Sequence, residues 1–379
     1  MKRFRAGVIG TGFVGGVHVE ALRRLGYVDV VAISDNCNWM EKAEEMSIPN
    51  HFCEYKEMID EMDLDVVHIC TPNNTHKEMA LYAFEKGAHV VCEKPLCLSA
   101  EEAREMMEAA EKSGLVHAVN FHNRFYPMTR EMKAQIQQGA LGDVFTIHGE
   151  YIQDWLLYQT DYNWRLLSSE SGKTRVAADL GSHWMDLVQY ITGLQIAEVF
   201  AEFRTVYPVR KKPMVEVEAF SQKTFNAEDY QEFPIDTEDF AAVLMRFDNG
   251  AVGSMVVSQI FAGKKNKMNV RVAGSKKSLD WDLDTFENLV IGCKDQPNQL
   301  TTKDWGLVSP EASKLISYPA GHAEGYPDAF KQGFRQIYEY IADRNKPKEF
   351  ATFQDGLYEM IINDCLFESA RTGKWVPVK

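Results

Sequence analysis

The sequence predicts an α/β chain of two domains: a doubly wound parallel sheet at the N-terminus, then an α+β domain built on an antiparallel or mixed sheet. Three observations predict it. At 379 residues the chain exceeds the roughly 250–300 at which a single hydrophobic core stops growing. Its first third alternates short apolar runs with helical patterns, the signature of right-handed βαβ units. From Ala197 to Ile291 the pattern changes to long strands with turn signals and no helix between them.

The elements follow in order. Phe4–Ile9, Val28–Ser34, Asp65–Cys70, His89–Cys92 and Val116–Phe121 read as strands of the first domain. Helical patterns run from the glycines after Ile9 to Leu25, and over Asn38–Met46, Thr75–Lys86 and Ala100–Lys112. A helix at Pro127–Gln138 leads into an extended stretch at Asp143–Gln153, then a polar, aromatic segment, then a helix beginning near Asp179. Asp248-Asn249-Gly250 between two apolar runs is a hairpin signal, because such residues adopt the left-handed backbone a tight turn needs. Gln296–Pro319 reads as irregular surface loop, and helices at Pro327–Asp343 and Phe353–Thr372 close the chain.

Composition narrows the function. The hydrophobic share of 45% and charged share of 25% are those of an ordinary globular protein. A net charge of −14 disfavours nucleic acid and anionic membranes as partners. The seven cysteines form no Cys-x-x-Cys pair, which predicts free thiols, a cytoplasmic location and no metal site. The basic start Lys2, Arg3, Arg5 loosely imitates a signal peptide, but glycines at positions 7, 10, 12, 15 and 16 interrupt the apolar stretch, so none is expected. No run of about 18 apolar residues exists to span a membrane.

Gly10-Thr-Gly12-Phe13-Val14-Gly15 fits G-x-G-x-x-G between a strand and a helix. The first glycine permits the tight turn, the second lets backbone approach a pyrophosphate, and the third allows close helix–strand packing. The helix N-terminus then offers unpaired N–H groups to phosphate. Asp35, ending the second strand, stands where an acid accepts hydrogen bonds from the adenosine ribose. Its charge repels a 2′-phosphate and no arginine adjoins it, so NAD(H) is expected over NADP(H). Thr71-Pro72-Asn73-Asn-Thr-His76 and Glu93-Lys94-Pro95 follow two further strand ends, on the side where ligands bind in such sheets.

Asp179-Leu-Gly-Ser-His183-Trp-Met-Asp186 opens a helical segment whose buried face carries Leu180, Trp184, Leu187, Val188 and Ile191. Asp179 and His183 lie one turn apart on such a helix. A carboxylate there orients the imidazole and raises its basicity, as abstraction of a hydroxyl proton near neutral pH requires. The alternative is purely local: an N-cap aspartate and a half-buried histidine. Asp186 caps or orients.

Together these motifs, with Asn120, Arg124-Phe125 and Trp164-Arg165, resemble the Gfo/Idh/MocA family, the glucose–fructose oxidoreductase and inositol dehydrogenase group, over most of the chain. The resemblance implies an NAD-binding Rossmann domain over 1–125. It implies a substrate-binding and oligomerisation domain with a large, mostly antiparallel open sheet over 126–379, and a homodimer or homotetramer. It also implies roles. Lys94 would contact the nicotinamide side and polarise the reacting hydroxyl, His183 would be general base or acid, and Asp179 would contact substrate and tune His183. Gly10, Gly12, Phe13, Val14, Asp35, Thr71, Pro72, Asn73, His76, Glu93, Asn120 and Arg165 would hold NAD. Gln153, Trp155, Arg165 and Tyr326, with His322 and Glu324 as weaker candidates, would line the sugar site. The implied activity is reversible oxidation of a secondary hydroxyl on a sugar, glycoside or cyclitol. A redox-neutral NAD-dependent glycoside-cleaving enzyme and a non-catalytic NAD-binding sensor use the same parts.

Overall fold

A computed structural model describes residues 3–214 and 230–379, so residues 215–229 of the expected strand region lie outside the described residues. The chain divides into two compact units. The first comprises Met1–His122 with Tyr326–Met360, the second Asn123–Gly325 with Ile361–Lys379.

In the first unit the strands are β1 (Phe4–Ile9), β2 (Val28–Ser34), β3 (Asn50–Phe52), β4 (Val66–Ile69), β5 (His89–Cys92) and β6 (His117–Val119). They form one sheet in the order β3-β2-β1-β4-β5-β6, with every pair parallel. β4 is buried at every position and β5 at all but its first, as strands covered on both faces must be. The connecting helices are α1 (Phe13–Arg23), α2 (Trp39–Glu45), α3 (Tyr55–Glu61), α4 (His76–Glu85) and α5 (Ala100–Ser113). Helix α1 buries Gly15, His18, Val19, Ala21 and Leu22, one face at helical spacing. At α5 the Ser99 hydroxyl accepts from the Glu102 N–H, the cap that starts this helix where it does.

The second unit carries α6 (Pro127–Gln137), β7 (Val144–Ile152), α7 (Ser168–Ser171) and α8 (Ser182–Thr192). Its further strands are β8 (Ile196–Arg204), β9 (Val209–Pro213), β10 (Tyr230–Pro234), β11 (Phe240–Phe247), β12 (Val252–Ser258), β13 (Lys267–Gly274), β14 (Ser278–Asp282), β15 (Asn288–Gly292), β16 (Gln299–Thr302) and β17 (Val376–Pro377). Strands β9 and β10 pair separately, and the rest form a nine-stranded sheet, β16-β15-β14-β13-β7-β12-β11-β8-β17. It is antiparallel except where β12 runs parallel to β7. The β11–β12 hairpin turns at Gly250, whose φ of 87° is the left-handed conformation the hairpin signal requires. Along β11, Ala241, Val243 and Met245 are buried while Leu244 is exposed, so one face of this sheet is covered and the other is open.

Two expectations change. The stretch 296–319 is not wholly irregular, since it forms β16 and a short helix α9 (Pro310–Ser313). The segment 326–360 belongs with the first unit rather than with the rest of 126–379. Helix α10 (Tyr326–Ala342) packs Phe330 and Phe334 on the His18 ring of α1, and Arg24 pairs with Asp328. Helix α11 (Phe353–Thr372) has its first part in the first unit and its remainder in the second. Its apolar residues Phe353, Leu357, Met360, Ile362 and Leu366 are all buried and lie around more than one face, so it needs more than one neighbour. Among the described residues no helix is long and apolar enough to cross a membrane.

Candidate active site

In the first unit the glycine loop leaves β1 and enters α1. A Cβ on Gly10, at φ +86°, would lie 2.8 Å from the Cys70 carbonyl, and one on Gly15 would lie 2.0 Å from the Gly10 oxygen. These two positions admit no side chain because backbone closes on them. A Cβ on Gly12 would meet nothing within 4 Å, so this glycine faces open space at the helix N-terminus, as pyrophosphate binding requires. The Asp35 carboxylate accepts from the Thr11 N–H (2.6 Å), the Thr11 hydroxyl (2.7 Å) and the Cys37 N–H (3.1 Å). A carboxylate has about four acceptor sites, so capacity remains for a ribose hydroxyl.

The two other loops are tied together. Thr71 bonds Thr75 hydroxyl to hydroxyl (2.6 Å), and Asn73 is buried. His76, expected along the cofactor, is instead wholly buried, its ring nitrogens 2.9 Å from the Thr71 carbonyl and 3.1 Å from the Pro95 carbonyl. Burial pushes its pKa down despite those carbonyls. Its ring joins the two loops.

Glu93 sits in a buried polar chain that local patterns do not reveal. The His18 ring meets Glu93 at 2.9 Å through Nε2 and His68 at 3.0 Å through Nδ1, and His68 reaches the Tyr338 hydroxyl at 3.0 Å. The Asn120 amide donates to the same Glu93 oxygen at 2.6 Å. The Asn120 amide also lies 3.3 Å from His18 Nε2. Burial raises the Glu93 pKa, but the His18 hydrogen bond and charge, Asn120 and the neighbouring Lys94 outweigh it and bring it down to about 2. Glu93 is therefore a fixed negative charge beside Lys94, which is half-buried. His122, also missed, packs on Phe330 and Tyr326, and burial lowers its pKa to about 3. Tyr326 in turn stacks on Phe13 at 6.3 Å, beside the glycine loop.

In the second unit the acid/base segment is not a plain α-helix. Ala177–Gly181 forms a wider π-helical turn that continues into α8, a distortion often found at functional sites. The turn is anchored from outside, since the buried Glu238 carboxylate accepts from the Arg175 and Ala177 N–H groups at 2.9–3.0 Å. Asp179 and His183 are 7% and 5% exposed. Asp179 accepts from the Gln259 amide at 3.0 Å and lies 3.4 Å from Arg165 Nε. Arg165 lies over the Trp164 ring at 4.5 Å. The Tyr151 ring is 6.0 Å from that of His183, and burial with the nearby Asp179 charge raises its hydroxyl pKa. Tyr151 and Gln153 both donate to Asn266 Oδ1, at 2.9 and 2.7 Å. Asp186 forms a buried two-bond pair with Arg124, which makes it an orienting residue of α8.

Some expected site residues also have packing or hydrogen-bond partners within the fold. Trp155 packs on Leu156, Leu166 and Ile235, and its indole N–H donates to the Lys265 carbonyl at 3.0 Å. Glu324, a weaker pocket candidate, is 1% exposed and ion-paired with Lys303 at 3.0 Å, so its role is structural. His322 is exposed. Among the described residues no three His, Cys, Asp or Glu side chains are grouped to hold a metal.

Comparison with known proteins identifies the family. Residues 4–121 match the oxidoreductase family with an NAD-binding Rossmann fold, and residues 129–280 match the GFO/IDH/MocA C-terminal domain. The chain belongs to the Gfo/Idh/MocA oxidoreductase family. Levoglucosan dehydrogenase of Pseudarthrobacter phenanthrenivorans is 28% identical, covering 100% of this chain and 99% of that protein. D-glucoside 3-dehydrogenase of Escherichia coli is 30% identical over 50% of this chain and 54% of its own length. A solved levoglucosan dehydrogenase in complex with NADH and L-sorbose superposes with a TM-score of 0.88 at 26% identity, covering 100% of both chains.

Proposed function

We propose that this protein is an NAD(H)-dependent dehydrogenase oxidising a secondary hydroxyl of a sugar, glycoside or cyclitol. The observation that carries the reading is the burial of Asp179, on a distorted turn, and of His183, four residues on in α8, in a chain that is similar end to end to levoglucosan dehydrogenase. The glycine loop, open at Gly12, with Asp35, Thr71, Pro72, Asn73, Glu93, Asn120 and Arg165, would hold NAD. Bound NAD supplies the acceptor for the hydrogen that leaves carbon with its electron pair.

The chain's own groups do the rest. His183 accepts the hydroxyl proton during oxidation and returns it during reduction. The Lys94 ammonium stabilises negative charge developing on that oxygen. Asp179 hydrogen-bonds substrate and orients His183. Gln153, the ring face of Trp155, Arg165 and Tyr326 contact the remaining sugar surface, where aromatic faces suit the C–H face of a ring and amides suit its hydroxyls. Leu244, Val252 and Val290 on the open face of the nine-stranded sheet are exposed, and we assign this face to a second copy in a homodimer or homotetramer. The seven cysteines carry no disulfide, which fits a cytoplasmic enzyme.

The test is NADH formation from NAD or NADP with levoglucosan, myo-inositol, glucose and methyl glucosides. Turnover of one ring type with NAD supports the reading. Silence with NAD bound, or a cleaved glycoside with no net NADH, overturns it.

A further inference from the structure

Behind Asp179 lies a buried chain of side chains drawn from three distant segments. Gln259, directly after β12, is 0% exposed. Its Oε1 accepts from Arg175 Nη1 at 2.8 Å and its Nε2 donates to Asp179 Oδ2 at 3.0 Å. Arg175 has donors only, so the oxygen of the amide must face it and the N–H₂ must face the aspartate. Arg175 is itself fixed, donating through Nε to Thr237 at 3.1 Å and through Nη2 to Asp239 at 2.6 Å. Asp239 also takes Arg210 at 2.6 Å, so this cation cannot turn without breaking a buried ion cluster.

We propose that Gln259, locked by Arg175, is a positioning residue that holds the Asp179 carboxylate ionised and aimed for substrate. The proposal rests on the reading of Asp179 as the site carboxylate. Within the second unit the groups facing Asp179 are Arg165 at Oδ1, Gln259 at Oδ2, Tyr151 from β7 and His183 from α8. Each oxygen thus has a donor group of its own. A neutral amide favours the ionised carboxylate by hydrogen bonding without competing as a second cation, while its link to Arg175 removes the freedom to flip. Position 259 therefore needs an acceptor on one side and a donor on the other, a combination that glutamate and methionine both lack.

The test compares Gln259→Glu and Gln259→Met with wild type in the NAD-saturated full chain. Glutamate keeps the acceptor for Arg175 but removes the donor to Asp179. Methionine keeps the bulk and removes both, and serves if the glutamate variant does not fold. The first readout is the ¹³C-carboxyl titration of Asp179, assigned by its loss in Asp179→Asn. Both variants should raise it by roughly one pH unit, the scale of a lost charge-assisted hydrogen bond. With levoglucosan the acid limb of kcat/KM should move up equally, with kcat/KM about tenfold lower at neutral pH and NAD affinity unchanged. An unshifted Asp179 titration in a folded variant overturns the proposal, whatever the activity, because packing loss alone does not move a pKa in this direction. Full turnover by Asp179→Asn and His183→Ala overturns the site reading instead, while the Gln259 effect on the titration stays measurable.

Discussion

The cofactor loops of the first unit and the acid/base turn of the second are built by opposite means. Around Gly10–Gly15 the shape is made mainly by backbone, with Gly10 and Gly15 closed in by carbonyls within a few residues or one neighbouring strand end. Around Asp179 the shape is made by buried side chains, with Gln259, Arg175, Glu238 and Asp239 meeting from segments far apart in sequence. The difference teaches where each site is fragile. A single Cβ breaks the first, and the loss of a single donor or acceptor breaks the second.

The largest expected effect sharpens that contrast at the level of chemistry. His183→Ala should lower kcat by about 10²–10⁴, the usual worth of a general base, with NAD affinity intact in a fluorescence titration. Lys94→Ala should cost about 10²–10³, as for loss of a charge-stabilising donor. Wild-type activity in both variants would remove the acid/base reading.

Next come the two glycines. Gly15→Ala puts a methyl 2.0 Å from the Gly10 oxygen and should destabilise by about 3 kcal/mol or more, as forced backbone strain does, seen as a lower melting temperature. Gly12→Ala meets nothing within 4 Å, so melting should be unchanged while NAD binding weakens about tenfold from lost approach to the pyrophosphate. Equal melting of the two variants would break the backbone account. Asp35→Ser should have a smaller effect, raising NADP relative to NAD kcat/KM by about tenfold as the repelling charge disappears.

The smallest effect separates the units by acid response. His117 and His122 are held neutral by burial, with pKa values lowered to about 4 and about 3 from the ordinary 6.5, and His68 and His76 are lowered too. The unfolded chain binds more protons than the folded one below 6.5, so stability falls as pH drops from 6.5 towards those values. Glu93 adds a later loss, as pH falls from its ordinary 4.5 through about 2. Hydrogen exchange at pH 5 against pH 7 should show protection lost first in peptides of the first unit. His117 Nδ1 accepts from the Phe353 N–H at 3.1 Å, and His117→Asn should make the melting temperature less steep in pH between 6.5 and 4.

Strands β1, β2 and β5 and helix α11 were readable residue for residue, because continuous apolar runs or long helical patterns end at clear turn signals. Strand β3 and helix α3 left no comparable signal, being three residues long and half polar respectively. Strand β16 hides in a polar stretch because it is an edge strand, mostly exposed. Within the site, the glycine loop, Asp35, Lys94, Asp179 and His183 stand out through local spacing. His18, Gln259 and Arg175 do not, since their meaning lies in partners 50 to 84 residues away. The π-turn at Asp179 is equally invisible to a periodicity argument, because Glu238 anchors it from the loop before β11. Glu324 shows the converse error: a motif-like neighbourhood whose carboxylate serves a buried lysine.

The most direct test of the central claim is to follow deuterium from a levoglucosan labelled on its ring carbons during turnover by wild-type enzyme with NAD. NADH should gain one deuterium from the oxidised carbon with a primary isotope effect, and Lys94→Ala and His183→Ala should slow that transfer by about 10²–10⁴. NADH formed without deuterium, or label retained in a product of unchanged oxidation state, would contradict it.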